Sequence, residues 1–214
     1  MARVIRNTGF AGLDLVSPRE WRTVECWRTA WGAQDVLETA RVFASLADAV
    51  ADAAYVVALS GRRETGALDV DQMAAEVAAL GEAETAALVF GPETAGLSLS
   101  EIALCGRRAL IPTHPDQPSL NLSHAVMVAA YVVCRARARG APRGPRRATH
   151  GEKQRLLALL RDGLEAVSAL TGARAGAYFE EWTSLVQRTD MSPKEARLVE
   201  HAARRMKRFG RARG

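Results

Sequence analysis

Cysteine is scarce in this chain of 214 residues. Cys26, Cys105 and Cys134 lie far apart, and no CxxC pair occurs. Neither a disulfide framework nor a thiolate zinc site fits that spacing, which points to a reducing, cytoplasmic setting. Aromatic residues make up only 6%. No apolar run approaches the roughly 18 residues of a membrane span, and Met1-Ala2-Arg3 does not open a secretory signal. The familiar catalytic signatures are missing too. There is no G-x-G-x-x-G and no G-x-S-x-G. Gly91 to Gly96 has the glycine spacing of a phosphate loop, but Leu97-Ser98 stands where Lys-Ser/Thr is required. His114, His124, His150 and His201 show no metal-ligand spacing, so no metal is expected.

Charge is present but unevenly placed. Residues 1–134 hold 10 basic and 16 acidic residues, net −6, whereas residues 135–214 hold 19 and 8, net +11. An acidic body with a basic tail suits a polyanionic partner, nucleic acid first and an anionic membrane surface second. Residues 201–214 carry few apolar anchors, which weighs against the membrane.

The body alternates bare apolar runs with helical patterns. Residues 13–16, 55–59, 86–90 and 109–111 read as strands buried on both faces. Residues 34–51 read as helical with a break near Ser45, 71–80 as an amphipathic helix, and 121–138 as a long helix capped by Asn121. This alternation predicts an α/β domain over 1–138 with a mostly parallel sheet, helices on both faces and ligands at the carboxyl ends of the strands. Residues 139–150, with two Pro, two Gly and four Arg between Arg139 and Arg147, read as a linker. Residues 151–214 read as a small all-helical extension of about three helices, with a capping box at Ser192-Pro193-Lys194-Glu195.

Three strand-end loops hold small residues and few charges: Ser60-Gly61, Gly91-Pro92-Glu93 and Pro118-Ser119-Leu120-Asn121. Such loops let backbone approach a ligand, which suits a flat neutral group such as adenine better than a triphosphate. Ser119 and Asn121 stand where helix capping is their ordinary task.

The stretch Leu88-Val89-Phe90-Gly91-Pro92-Glu93-Thr94-Ala95-Gly96-Leu97, followed by Ile111-Pro112 and Pro118-Ser119-Leu120-Asn121-Leu122-Ser123-His124-Ala125, closely resembles motifs two and three of the SpoU (TrmH-like) branch of the SPOUT RNA methyltransferases. Arg3 to Phe10 with Leu13 to Pro18 resembles the end of motif one. The stretch after residue 150 is similar to the C-terminal extension of the TrmJ-type tRNA methyltransferases. Family members carry a strand and an Asn-x-Gly element before the motif-one arginine, whereas in this chain only Met1 and Ala2 precede Arg3. On that basis one central strand is expected to be missing from the sheet.

The resemblance implies a C-terminal trefoil knot in the α/β domain and a homodimer. It implies S-adenosylmethionine as cofactor, held by Leu59, Ser60, Gly61, Gly91, Ile111, Pro118, Ser119 and Leu120. The implied reaction is methyl transfer to a ribose 2′-hydroxyl of RNA, with tRNA favoured over ribosomal RNA. Arg3, Glu93, Ser119 and Asn121 become the catalytic set. Arg135, Arg137, Arg139, Arg143, Arg146 and Arg147, with the later Arg204, Arg205, Lys207, Arg208, Arg211 and Arg213, become candidates for RNA phosphates. A non-catalytic RNA-binding module of the same fold is the alternative, supported by the missing strand.

Overall fold

The computed structural model describes residues 1–61, 66–117, 119–140 and 144–212, leaving aside the side chain of Arg211. The chain opens on helix α1 (Ala2–Thr8), which stops where Gly9 turns left-handed at φ 69°. Strand β1 (Asp14–Val16) follows, then α2 (Val24–Thr29), capped by the Thr23 side chain. The expected helix over 34–51 divides into three pieces: α3 (Gln34–Glu38), β2 (Arg41–Phe43) and α4 (Leu46–Ala49). Ser45 caps α4 by accepting from the backbone N–H of Asp48. The strand inside this stretch arises from tertiary pairing. β2 lies parallel to β1 with Asp14 opposite Arg41, and the Arg41 guanidinium grips the Asp14 carboxylate through two bonds of 2.8 and 2.7 Å.

Next come β3 (Tyr55–Leu59), β4 (Leu68–Asp69) and α5 (Val70–Ala78), whose capping box joins Asp69 and Gln72. After them lie β5 (Ala86–Phe90), α6 (Leu99–Cys105), β6 (Arg107–Leu110) and α7 (Leu122–Ala138). β6 starts two residues before the expected strand. α6 is not among the expected helices, although its Ser98–Glu101 capping box is plain in the sequence.

All described strand pairs are parallel, but they form two sheets rather than one. β1 and β2 make the first, and the second has the order β4-β6-β3-β5. β3 is buried along its whole length and feeds two cores by alternation. Tyr55, Val57 and Leu59 face a cluster with Met73 and Val77 of α5 and Ala129 and Val133 of α7. Val56 and Ala58 face Ile102 and Cys105 of α6. Helices therefore cover both faces, as a parallel sheet requires.

Helices α8 (His150–Ala166), α9 (Ala175–Arg188) and α10 (Pro193–Arg211) enclose a cluster of their own around Leu156, Leu160, Phe179 and Ala203. Residues 144–149 form neither helix nor strand, yet they are strapped to the body. Gly144 N–H donates to the Ala79 carbonyl, His150 N–H to Ala53 and Gly151 N–H to Ala51, each at 2.8 Å.

Candidate functional site

β3, β5 and β6 end at one level, because Leu59 is in register with Phe90 on one side and Ala109 on the other. Ser60 N–H carries the ladder one step further, donating to the Ala109 carbonyl at 3.2 Å. The loops beyond these ends leave the same edge of the sheet. With residues 119–125 they enclose a cavity of about 380 Å³, within the ~300–1,000 Å³ usual for small-molecule sites. Leu59, Ser60, Gly61, Gly91, Glu93, Ile111, Ser119 and Leu120 all contribute to its walls. Pro118 lies outside the described residues. Asn121 and Arg3 are not in the lining.

Gly91 is required by packing. A Cβ there would stand 2.2 Å from the Gly96 carbonyl carbon and 2.4 Å from the Leu97 nitrogen. Gly96 has φ +67° and returns the loop by donating its N–H to the Pro92 carbonyl at 2.8 Å. The loop 91–97 is thus folded on itself and presents backbone to the cavity. Asn121 ties it to α7. Its Oδ1 accepts from the Ser123 N–H at 2.9 Å and from the Ser123 hydroxyl at 2.6 Å, while its Nδ2 donates to Glu93 Oε1. Capping and loop fixation are therefore performed by one side chain.

Glu93 is the only charged side chain among the described lining residues. Among the described lining residues a polyphosphate would meet no cation and one carboxylate. A neutral heterocycle with hydrogen-bonding edges, on a group carrying positive charge, fits this donor set better. Cys105 lies behind the sheet, and burial pushes its thiol up to about 12, far from a nucleophile's range. Among the described residues no group of three or more His, Cys, Asp or Glu could hold a metal ion, and no helix is long and apolar enough to cross a membrane.

Arg3 is exposed on α1, which packs against α7, the helix headed by Asn121. Of the candidate phosphate contacts, Arg137, Arg139 and Arg146 are exposed. Arg135 pairs with Asp71 at 2.8 Å, and Arg143 lies outside the described residues. Arg147 differs from expectation. Its side chain is only 14% exposed and bonds Asp190 at 3.2 Å, so in this conformation it fastens the helical part rather than facing solvent. Arg107 of β6 meets the same carboxylate at 2.6 Å and Glu76 at 3.1 Å. Beside them Lys153 Nζ donates to the carbonyls of Gln187 and Thr189 at 3.0 and 2.9 Å. Burial, with Arg107 and Arg147 nearby, lowers that ammonium to about 8. Burial and Lys153 hold His150 down to about 4.

The cavity also takes in Phe90, Thr113, Leu122 and Ala125, which the sequence alone does not single out as ligand contacts. Phe90 follows from strand register, and Leu122 and Ala125 from helical spacing after the Asn121 cap. No sequence signal marks Thr113.

Residues 1–131 match the model of the SpoU rRNA Methylase family. The chain is 35% identical over 136 residues to tRNA (cytidine/uridine-2′-O-)-methyltransferase TrmJ of Klebsiella pneumoniae, a match taking in 62% of this chain and 56% of that protein. It is 36% identical over 143 residues to tRNA (cytidine/uridine/adenosine-2′-O-)-methyltransferase TrmJ of Pseudomonas aeruginosa, across 62% of this chain and 53% of that protein. In these matches the chain spans little more than half the length of the curated relatives. Among solved structures, TrmJ from Z. mobilis superimposes with a TM-score of 0.82 at 27% identity, covering 96% of this chain and 91% of that one. A putative methylase family protein from Neisseria gonorrhoeae gives 0.66 at 31%, covering 73% and 84%.

Proposed function

The chain belongs to the SpoU rRNA methylase family, and from that membership we propose that it is an S-adenosylmethionine-dependent RNA 2′-O-ribose methyltransferase acting on tRNA. The observation that carries the reading is the cavity at the strand ends, whose described lining joins small residues such as Ser60, Gly61, Gly91 and Ser119 to apolar side chains such as Leu59, Phe90, Ile111 and Leu120, with Glu93 as its one carboxylate. tRNA is favoured because the matched relatives are named for it.

The cofactor would be held by loops 59–61, 91–97 and 111–113 and by residues 119–120. When bound, it supplies a methyl group on a sulfonium centre. The chain's own part is to bind, orient and exclude water. Backbone groups of the three loops read the flat ring edges. Glu93 holds Asn121, and through it fixes the loop against α7. Ser119 contacts the cofactor side, and Asn121 orders the substrate edge. Arg3 clamps the RNA phosphate and orients the 2′-hydroxyl. Its guanidinium, with a pKa above ~12, is too weak a base to take the proton at neutral pH. Held there, the cofactor would supply its methyl to the ribose 2′-oxygen and would depart as the neutral thioether, with the hydroxyl proton passing to solvent.

The same reading carries with it a trefoil knot at the C-terminal side of the α/β domain, a rare exception to unthreaded chains. It also supplies a partner. Met127, Val128 and Tyr131 form an uncharged exposed stripe at helical spacing on α7, and Leu120 is exposed just before its Asn121 cap, in the cavity wall. A second copy docking there makes a homodimer. Arg137, Arg139 and Arg146 serve RNA phosphates from the adjoining surface.

The test is nucleoside mass spectrometry after incubating the purified chain with S-adenosylmethionine and undermodified tRNA or ribosomal RNA. The expected result is a 2′-O-methylnucleoside in tRNA, abolished by Gly91→Ala, whose added carbon forces the loop open. Methylation of ribosomal RNA alone would replace the substrate. Methylation of neither would leave the non-catalytic RNA-binding module as the better account.

A further inference from the structure

Three of the chain's four tryptophans, Trp21, Trp27 and Trp31, fall within eleven residues, interleaved with Arg22 and Arg28 and preceded by Arg19. The fold treats them differently. Trp21 and Trp27 are half-buried against the cluster formed by Ala2, Ile5, Ala30 and Ala33. Trp31, two residues past the end of α2, is 77% exposed. Val24 and Arg28, one turn apart on α2, are exposed as well. The guanidinium of Arg22 lies 4.9 Å from the centroid of the Trp21 ring, so an arginine–indole stack already exists on this face.

Charge changes sign here. Residues 1–31 hold five arginines against three acidic residues, whereas residues 32–134 hold five basic against thirteen acidic ones. One of the three acids, Asp14, is taken by Arg41, while Arg6 pairs with Asp35 and Arg28 lies 3.7 Å from Glu25 in an exposed pair. Arg3 and Arg19 have no hydrogen-bond or ion-pair partner among the described residues. α1 and α2 share one core cluster, so Arg3 on α1 and the exposed Arg28 and Trp31 flank the same small body.

We propose that the Arg–Trp face of residues 19–31 is a stacking platform for an unpaired base of single-stranded RNA, adjoining the phosphate held at Arg3. The inference rests on the RNA methyltransferase reading and adds a substrate contact to it. Guanidinium groups meet phosphates, and the exposed indole accepts a base face. Stacking is tolerant of base identity, so the platform positions a loop nucleotide without selecting it. A second copy of the chain fits less well. It would bring two faces of the same positive sign together, and the uncharged stripe on α7 already offers a self-complementary surface.

The experiment measures binding of an unmodified tRNA transcript to the full chain and to its Trp31→Ala and Trp31→Phe variants. Calorimetry with S-adenosylmethionine serves as the folding control, and sedimentation reports self-association. Trp31→Ala should weaken tRNA binding about tenfold with cofactor affinity unchanged, and Trp31→Phe should recover most of the loss. Adding tRNA should quench indole emission in the wild type and much less in Trp31→Ala. Undiminished tRNA binding by Trp31→Ala overturns this inference alone. A loss of self-association in that variant reassigns the face to a second copy. A wild-type chain that binds no RNA overturns both this inference and the reading beneath it.

Discussion

At the residue scale, His150 shows how burial governs chemistry away from the cavity. It heads α8, is 3% exposed, and its Nε2 lies 3.2 Å from the Gln154 amide, an arrangement suited to an unprotonated ring. Folding moves its pKa from the ordinary 6.5 to about 4. Between those values the unfolded chain binds more protons, so stability rises with pH through the window and is lost on acidification from pH 6.5 to 4. The full difference is worth up to about 3 kcal/mol. Denaturant unfolding at pH 7 and pH 4 should therefore show a smaller acid loss in His150→Gln than in the wild type. Carboxylates titrate equally in both proteins and cancel. Equal losses would mean that the imidazole accepts its proton in the folded state.

At the element scale, α8 and α10 pack so closely that glycine is obligatory. A Cβ on Gly163 would stand 2.6 Å from the Ala203 carbonyl oxygen, and one on Gly210 would stand 2.0 Å from that of Ala166. Alanine ordinarily favours a helix over glycine by about 1 kcal/mol. At Gly163 the clash opposes that gain, and Gly163→Ala should lower stability by about 1–3 kcal/mol. Gly176→Ala in α9, where nothing lies within 4 Å, should instead be neutral or gain up to about 1 kcal/mol. Thermal unfolding of the two variants side by side checks the sign. A gain at both positions would show that the helices move apart without cost.

At the scale of the whole molecule, the division between a body of −6 and a tail of +11 would set the approach of the proposed RNA substrate. Long-range attraction comes from the later residues, but not all of their arginines are available. Arg147 is spent on Asp190, whereas Arg137, Arg139 and Arg146 remain exposed. Each phosphate neutralised on a single strand contributes ~0.7 to the slope of log affinity against log salt. Replacing those three arginines by alanine should make the slope shallower by about 2, while Arg147→Ala should instead lower stability. An unchanged slope in the triple variant would place the phosphate contacts elsewhere on the tail.

The strands over 55–59 and 86–90, the Asn121 cap and the Ser192 capping box were legible because each rests on neighbours in the chain: an apolar run, or a side chain reaching three residues on. The loop residues Leu59 to Gly61, Gly91 and Ile111 were legible for a related reason, since glycine and proline mark where strands must end. β2 was hidden in a helical pattern because its stabilisation comes from Asp14, twenty-seven residues away. Arg147 reads in the sequence as one of a run of phosphate contacts, but the fold brings Asp190 to it. Local rules therefore determined which segments end near the cavity. Only the tertiary structure decided that those ends share one level, that Glu93 and Asn121 bond, and which charges are left for a partner. Each of those outcomes depends on groups distant in sequence, and pairing between distant groups leaves no period or cap in the chain that makes it.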